Sequence, residues 1–196
     1  MARAKIEDER KEQILCAFEV CVLRDGLSKT TLQNVATEVG LPRSLVRYFV
    51  GNRSSMVELL IGRMVERAEG EFLKPPSDAP ASTLNDFLDM LFDRAFSNET
   101  SNGIIGELWY LAERDENIRE RLSDMYGRIT SALVEQMTVE KIGPGKQERE
   151  AVALALLSLA YGEASFTGLG LKKTKAISMR TMADTLVGEL RNAARK

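Results

Sequence analysis

The chain has 196 residues, 44% of them hydrophobic and 29% charged, with a formal net charge of -2. That is enough chain and apolar content for one ordinary domain or two small ones around a buried core. Histidine is absent, which removes the usual general base, the usual nucleophile activator and the commonest metal ligand, so hydrolase triads and zinc sites are not expected.

Cys16 and Cys21 are the only cysteines. Five residues apart in one expected helix, they read as core thiols of a reducing compartment rather than a disulfide. The opening MARAKIEDERKEQ lacks the apolar core of a signal peptide, and no run approaches the roughly eighteen consecutive apolar residues of a membrane span. A soluble, cytoplasmic protein without a membrane partner is therefore expected. Residues 1–63 hold ten Lys/Arg against eight Asp/Glu, whereas residues 64–196 hold seventeen against twenty-one. The positive surplus sits in the first third.

Apolar residues at Ile14, Ala17, Phe18, Cys21 and Val22 put one stripe on a helix over 6–25, with Gly26 as its stop. Thr30 stands three residues before Gln33, a capping-box spacing that opens a short helix with an apolar face of Leu32, Val35, Ala36 and Val39, ended by Gly40. Pro42 suits the first turn of the next helix, whose buried side is Leu45, Val46 and Phe49. Asn52 caps a fourth helix running to about Glu71. Lys74-Pro75-Pro76-Ser77-Asp78-Ala79-Pro80 is the clearest boundary. Helices follow near 82–97, 102–114, 116–140, 147–168 and 174–195, separated by Asn98-Glu99, the Asp115 region, Gly143-Pro144-Gly145 and Gly168-Leu169-Gly170. Nothing reads as a strand, so the expected fold is all-α with about nine helices.

Two short helices joined by a glycine turn cross steeply in a helix-turn-helix. The crossing needs a small residue where the backbones nearly touch, here Ala36, and a left-handed turn residue, here Gly40. Val35, Val39, Leu41, Val46 and Phe49 fill the facing apolar positions. Arg43, Ser44, Arg47 and Tyr48 are left on the outer face of the second helix, where arginine can chelate guanine and hydroxyls can hold bases or phosphates. Thr31, Asn52 and Arg53, at helix starts, are candidate phosphate donors. A helical protein-protein adaptor with a purely structural hairpin is the alternative reading. An enzyme is disfavoured by the lack of histidine, of a Gly-rich phosphate loop and of a paired-cysteine metal site. No catalytic residue, metal ligand or cofactor is assigned.

The first amphipathic helix ending in Asp25-Gly26, followed by TTLQNVATEVGLPRSLVRYFVGNRSSMVELL, resembles the tetracycline-repressor (TetR) family of bacterial transcription regulators over residues 8–65. The chain departs from the family pattern at Arg47, where a tyrosine is usual, at Pro42, where Ser/Thr is common, and at Ser55, near a common acidic position. The resemblance implies a DNA-binding domain over 1–71 and a ligand-binding, dimerising domain over 72–196. It also implies a homodimeric repressor released from a palindromic double-stranded DNA operator when a small-molecule inducer swings the fourth helix. In the second part, the small-residue helix 147–168 and the helix 174–195, with Ile177, Met182, Ala183, Leu186, Val187, Leu190 and Ala194, suit a four-helix dimer interface. Phe87, Met90, Leu91, Trp109, Tyr110, Met125, Tyr126, Tyr161 and Phe166 are candidate pocket walls, with Glu107, Glu113 or Glu163 as polar anchors. Aromatics at helical spacing are more often core filling than pocket wall.

Overall fold

The computed structural model describes residues 2–72, 83–95, 99–171 and 178–194. They form nine α-helices, and no strand occurs among the described residues: α1 Ala2–Asp25, α2 Leu32–Val39, α3 Arg43–Val50, α4 Arg53–Phe72, α5 Leu84–Asp89, α6 Glu99–Ala112, α7 Glu116–Val139, α8 Lys146–Gly168 and α9 Met179–Ala193. Helix α5 continues as a π-helical stretch, Met90–Ala95. The boundary segment 74–80, residue 98 and Ile177 lie outside the described residues. Glu99, expected in a break, instead begins α6.

The chain divides into two compact units, Met1–Glu66 with Gly103–Leu122, and Arg67–Asn102 with Ser123–Lys196. In the first, the expected α1 stripe of Ile14, Ala17, Phe18, Cys21 and Val22 is buried throughout. Val35, Ala36, Val46, Met56, Leu60 and Ile61 of the same unit are buried as well. Arg63 of α4 reaches Glu19 of α1 at 2.7 Å and Glu12 at 2.6 Å, so the one carboxylate buried within the α1 stripe is neutralised. Leu23 packs on α6 where a glycine leaves room, since a Cβ at Gly103 would stand 2.5 Å from its Cδ2.

Two local expectations are corrected here. The N-cap of α2 is Thr31, not Thr30: the Thr31 hydroxyl accepts the Asn34 amide at 3.2 Å, and the Asn34 side chain accepts the Thr31 amide at 2.9 Å. Thr30 is fully buried and donates its hydroxyl to the Gly26 carbonyl at 2.9 Å, so it belongs to the α1–α2 turn. Leu45 is exposed, because the buried side of α3 centres on Val46 and Val50, about 100° or more around the helix.

The second unit has its own core, with Leu88, Leu91, Leu133, Met137, Leu156 and Val187 among its members. Thr83 caps α5, and Glu140, just past the end of α7, accepts the Leu84 amide at 2.5 Å. Arg180 of α9 bridges to Asp89 at 2.8 Å and Asn85 at 2.7 Å on α5. Helix α8 is long and apolar enough to cross a membrane by length and composition alone. However, Ala153, Leu156, Leu157 and Ala160 build one side of it into this core.

Candidate nucleic-acid interface

The α2–α3 hairpin is set by its turn. Gly40 adopts φ 67°, ψ 31°, a left-handed conformation that glycine takes without a side-chain penalty. Its amide bonds the Thr37 carbonyl at 3.3 Å, and the Leu41 amide bonds Ala36 at 3.0 Å, the paired closure of a Schellman motif. Ala36, only 2% exposed, supplies the small surface, and Val35 and Val46 are fully buried. Val39, Leu41 and Phe49 are half-buried.

With that side fixed, Arg43, Ser44, Arg47 and Tyr48 are all exposed. Tyr48 is 68% exposed, its ring held edge-on to Phe49 at 5.1 Å. No side chain caps the start of α3, because Pro42 has no group to do so, and the Leu45 and Val46 amides bond the Pro42 carbonyl at 2.9 and 3.1 Å. Neither Arg43 nor Arg47 has a hydrogen-bond or ionic partner among the described residues. Arg10, Arg24, Arg53, Arg63, Arg114, Arg119, Arg121, Arg128, Arg149, Arg180 and Arg191 each have one.

The flanking candidates differ in how far they are committed. The Thr31 hydroxyl is exposed but engaged in the α2 cap. The Asn52 oxygen accepts the Ser55 amide at 2.9 Å and hydroxyl at 3.1 Å, which leaves its NH2 group without a partner among the described residues. Arg53 turns inward: Nη2 donates to the Leu27 carbonyl at 2.7 Å and Nε to the Thr30 carbonyl at 3.3 Å. Glu107, expected as a ligand anchor, accepts the Leu27 amide at 2.7 Å. Arg53 and Glu107 thus hold opposite ends of one residue in the α1–α2 turn. Neither bond was legible from the sequence, because the partners lie 26 and 80 residues apart.

The pocket candidates separate between the units. Phe87, Met90 and Tyr126 pack partly buried against the second core, of which Leu91 is a member. Met125 is buried. On α8, Tyr161 and Glu163 are half-buried and Phe166 is 58% exposed. Trp109 and Tyr110 lie on the part of α6 that belongs to the first unit, 47% and 55% exposed, and Arg114 stacks 4.7 Å over the Tyr110 ring. Glu113 is exposed.

No protein-family model and no curated sequence matches the chain. Solved structures do. A TetR transcription regulator from Haloarcula marismortui aligns with TM-score 0.70 at 18% identity, covering 93% of this chain and 98% of that one. A transcriptional regulator from Rhodococcus sp. Rha1 aligns with TM-score 0.71 at 14% identity, covering 92% and 95%. The flavonoid-responsive regulator FrrA aligns with TM-score 0.68 at 14% identity, covering 95% and 97%. The likeness runs over nearly the whole length of each, so the all-α fold of this chain is the one these regulators share.

Proposed function

We propose that this chain, with the fold of TetR-family regulators, is a homodimeric, ligand-responsive transcription regulator: a cytoplasmic repressor that leaves a palindromic operator when an inducer binds. The observation that carries the reading is the pair of exposed arginines on the outer face of α3, neither of which has a partner among the described residues. Arg24, by contrast, is held by Glu38 at 2.7 Å. Arg43 and Arg47 have none among the described residues; Arg43 and Ser44 stand at the uncapped start of α3 and Arg47 and Tyr48 one turn on, an arrangement complementary to a major groove edged by phosphates.

In this reading α3 enters the groove with Arg43, Ser44, Arg47 and Tyr48 toward the bases, while Thr31 and Asn52 approach phosphates from the starts of α2 and α4. Arg53 acts indirectly, by fixing the turn that carries α2. A two-fold dimer presents two such helices to half-sites about 34–36 Å apart or a multiple of that. The outward sides of α8 and α9, with Leu154 60% exposed and Leu186 37% exposed, are the surfaces assigned to the second copy. Phe87, Met90, Tyr126, Tyr161, Glu163 and Phe166 of the second unit are the residues assigned to the inducer. That assignment accords with the ligand response of the similarly folded FrrA. The inducer acts only if it prefers one spacing of the two reading heads over the other.

The test is fluorescence anisotropy of the full chain on duplex from its own upstream region and on random duplex, over a series of salt concentrations. A salt-sensitive preference for the upstream duplex supports the reading. Equal affinity for both sinks it. Sedimentation of the protein alone tests the dimer, and a monomer at micromolar concentration sinks that part.

A further inference from the structure

Resting on the reading of α3 as a recognition helix, we infer that each operator half-site carries two G·C pairs, one read by Arg43 and the other by Arg47, one or two base steps apart. Each guanidinium donates to guanine O6 and N7, and α3 reads no adenine by a bidentate contact.

The inventory of α3 supports this. Its sequence RSLVRYFV contains no Asn, Gln, Asp or Glu. Bidentate reading of adenine calls for an amide side chain, whereas arginine matches guanine. The amide side chains nearby are placed elsewhere: the Asn34 oxygen is held by the Thr31 amide, the Asn52 oxygen by Ser55, and Gln33 lies on α2, the helix that crosses the backbone in this motif.

Geometry supplies the spacing. Residues four apart on an α-helix are separated by about 6 Å along the axis and about 40° around it, so Arg43 and Arg47 share a face. Base pairs rise about 3.4 Å, so two equal side chains along the groove meet pairs one or two steps apart. The energetics agree. Like charges four residues apart weaken a helix slightly, and these two are not relieved by any carboxylate among the described residues. Neither must break an internal ion pair before it reaches a base.

The test begins with selection of bound duplexes from a random library by the full-length protein. Each selected guanine is then replaced by 7-deazaguanine, which lacks the N7 acceptor, and affinities are measured for the parent chain and for Arg43→Ala, Arg47→Ala, Arg43→Lys and Arg47→Lys. Both side chains are exposed, so the fold of the variants is not at stake. We expect two guanines per half-site at the stated spacing, and each deaza substitution should cost about 5- to 150-fold. Arg43→Ala should become indifferent to substitution at one of them and Arg47→Ala at the other. The lysine variants should keep the salt dependence while discrimination weakens, since a single ammonium replaces the planar fork. If the selected sites lack such guanines, or deaza substitution changes nothing and each alanine variant weakens all sequences alike, the arginines are phosphate clamps. The inference is then overturned while DNA reading stands. If no duplex is preferred over random DNA, the recognition-helix reading itself falls, and this inference falls with it.

Discussion

Arg53 separates an internal strut from a DNA contact, and Arg53→Met is the substitution that decides between them, since it keeps the apolar stem and removes the guanidinium. The two bonds it breaks reach carbonyls of Leu27 and Thr30, residues that are themselves fully buried. A hydrogen bond from a charged donor contributes about 1.5–3 kcal/mol, and the 3.3 Å bond to Thr30 is the weaker of the two. Because the arginine is partly open to water, a total of about 2–3 kcal/mol is expected. Urea titration followed by circular dichroism should show the midpoint falling by that equivalent. Operator affinity should fall while its dependence on salt stays unchanged, because no phosphate contact is lost. An unaltered midpoint with a salt slope shallower by about 1 would refute the reasoning and make Arg53 a phosphate anchor.

Three further outcomes follow from local geometry. Gly51→Ala should cost about 2–3 kcal/mol by thermal denaturation, because φ 75°, ψ -144° suits glycine alone and a Cβ would stand 2.9 Å from Ser55. Gly40→Ala, left-handed but in open space, should cost only about 1 kcal/mol, and equal losses would count against the argument. The Thr83 amide and hydroxyl hold the Asp86 carboxyl below its ordinary value of 3.8. Its folded value is depressed, so its contribution is complete above that value and fades as the pH falls through the lower folded one. The stability difference between the parent and Asp86→Asn should therefore be flat from pH 8 to 5 and shrink in stronger acid; a difference independent of pH throughout would contradict this. Finally, burial pushes the Cys21 thiol up, against the opposing pull of Arg24, while Cys16 is exposed. A thiol reagent at pH 8 should titrate one group quickly and the second only after denaturation, and two fast groups would refute the assignment.

What was legible in the sequence is what depends on neighbours in the chain. The α1 stripe is carried by helical periodicity, and the hairpin turn by the one residue type that takes a left-handed backbone freely. Both stand in the structure as read. The cap of α2 was misplaced by one residue for a reason inside the sequence: Thr30 and Thr31 are both hydroxyls, each followed three residues later by an amide side chain. Only the Thr30 bond to the Gly26 carbonyl, set by how α1 ends, decides between them. Leu45 was misassigned because an eight-residue helix holds too few apolar residues to define the centre of its buried side from sequence alone.

The candidate interface shows a different boundary. Arg43, Arg47 and Arg53 are three exposed arginines within eleven residues, and composition treats them alike. They are sorted by where acceptors lie in space: Arg53 finds two carbonyls of the α1–α2 turn, while the other two find none among the described residues. Such partners have no local signature, just as nothing around Glu107 announces that the Leu27 amide stands above it. The distinction has a physical consequence for recognition. A tied guanidinium must surrender its internal bonds to contact DNA, so its contact is weakened by what it leaves behind. An untied one surrenders only water. Discrimination between bases should therefore concentrate at Arg43 and Arg47, with Arg53 affecting every sequence alike through the placement of α2.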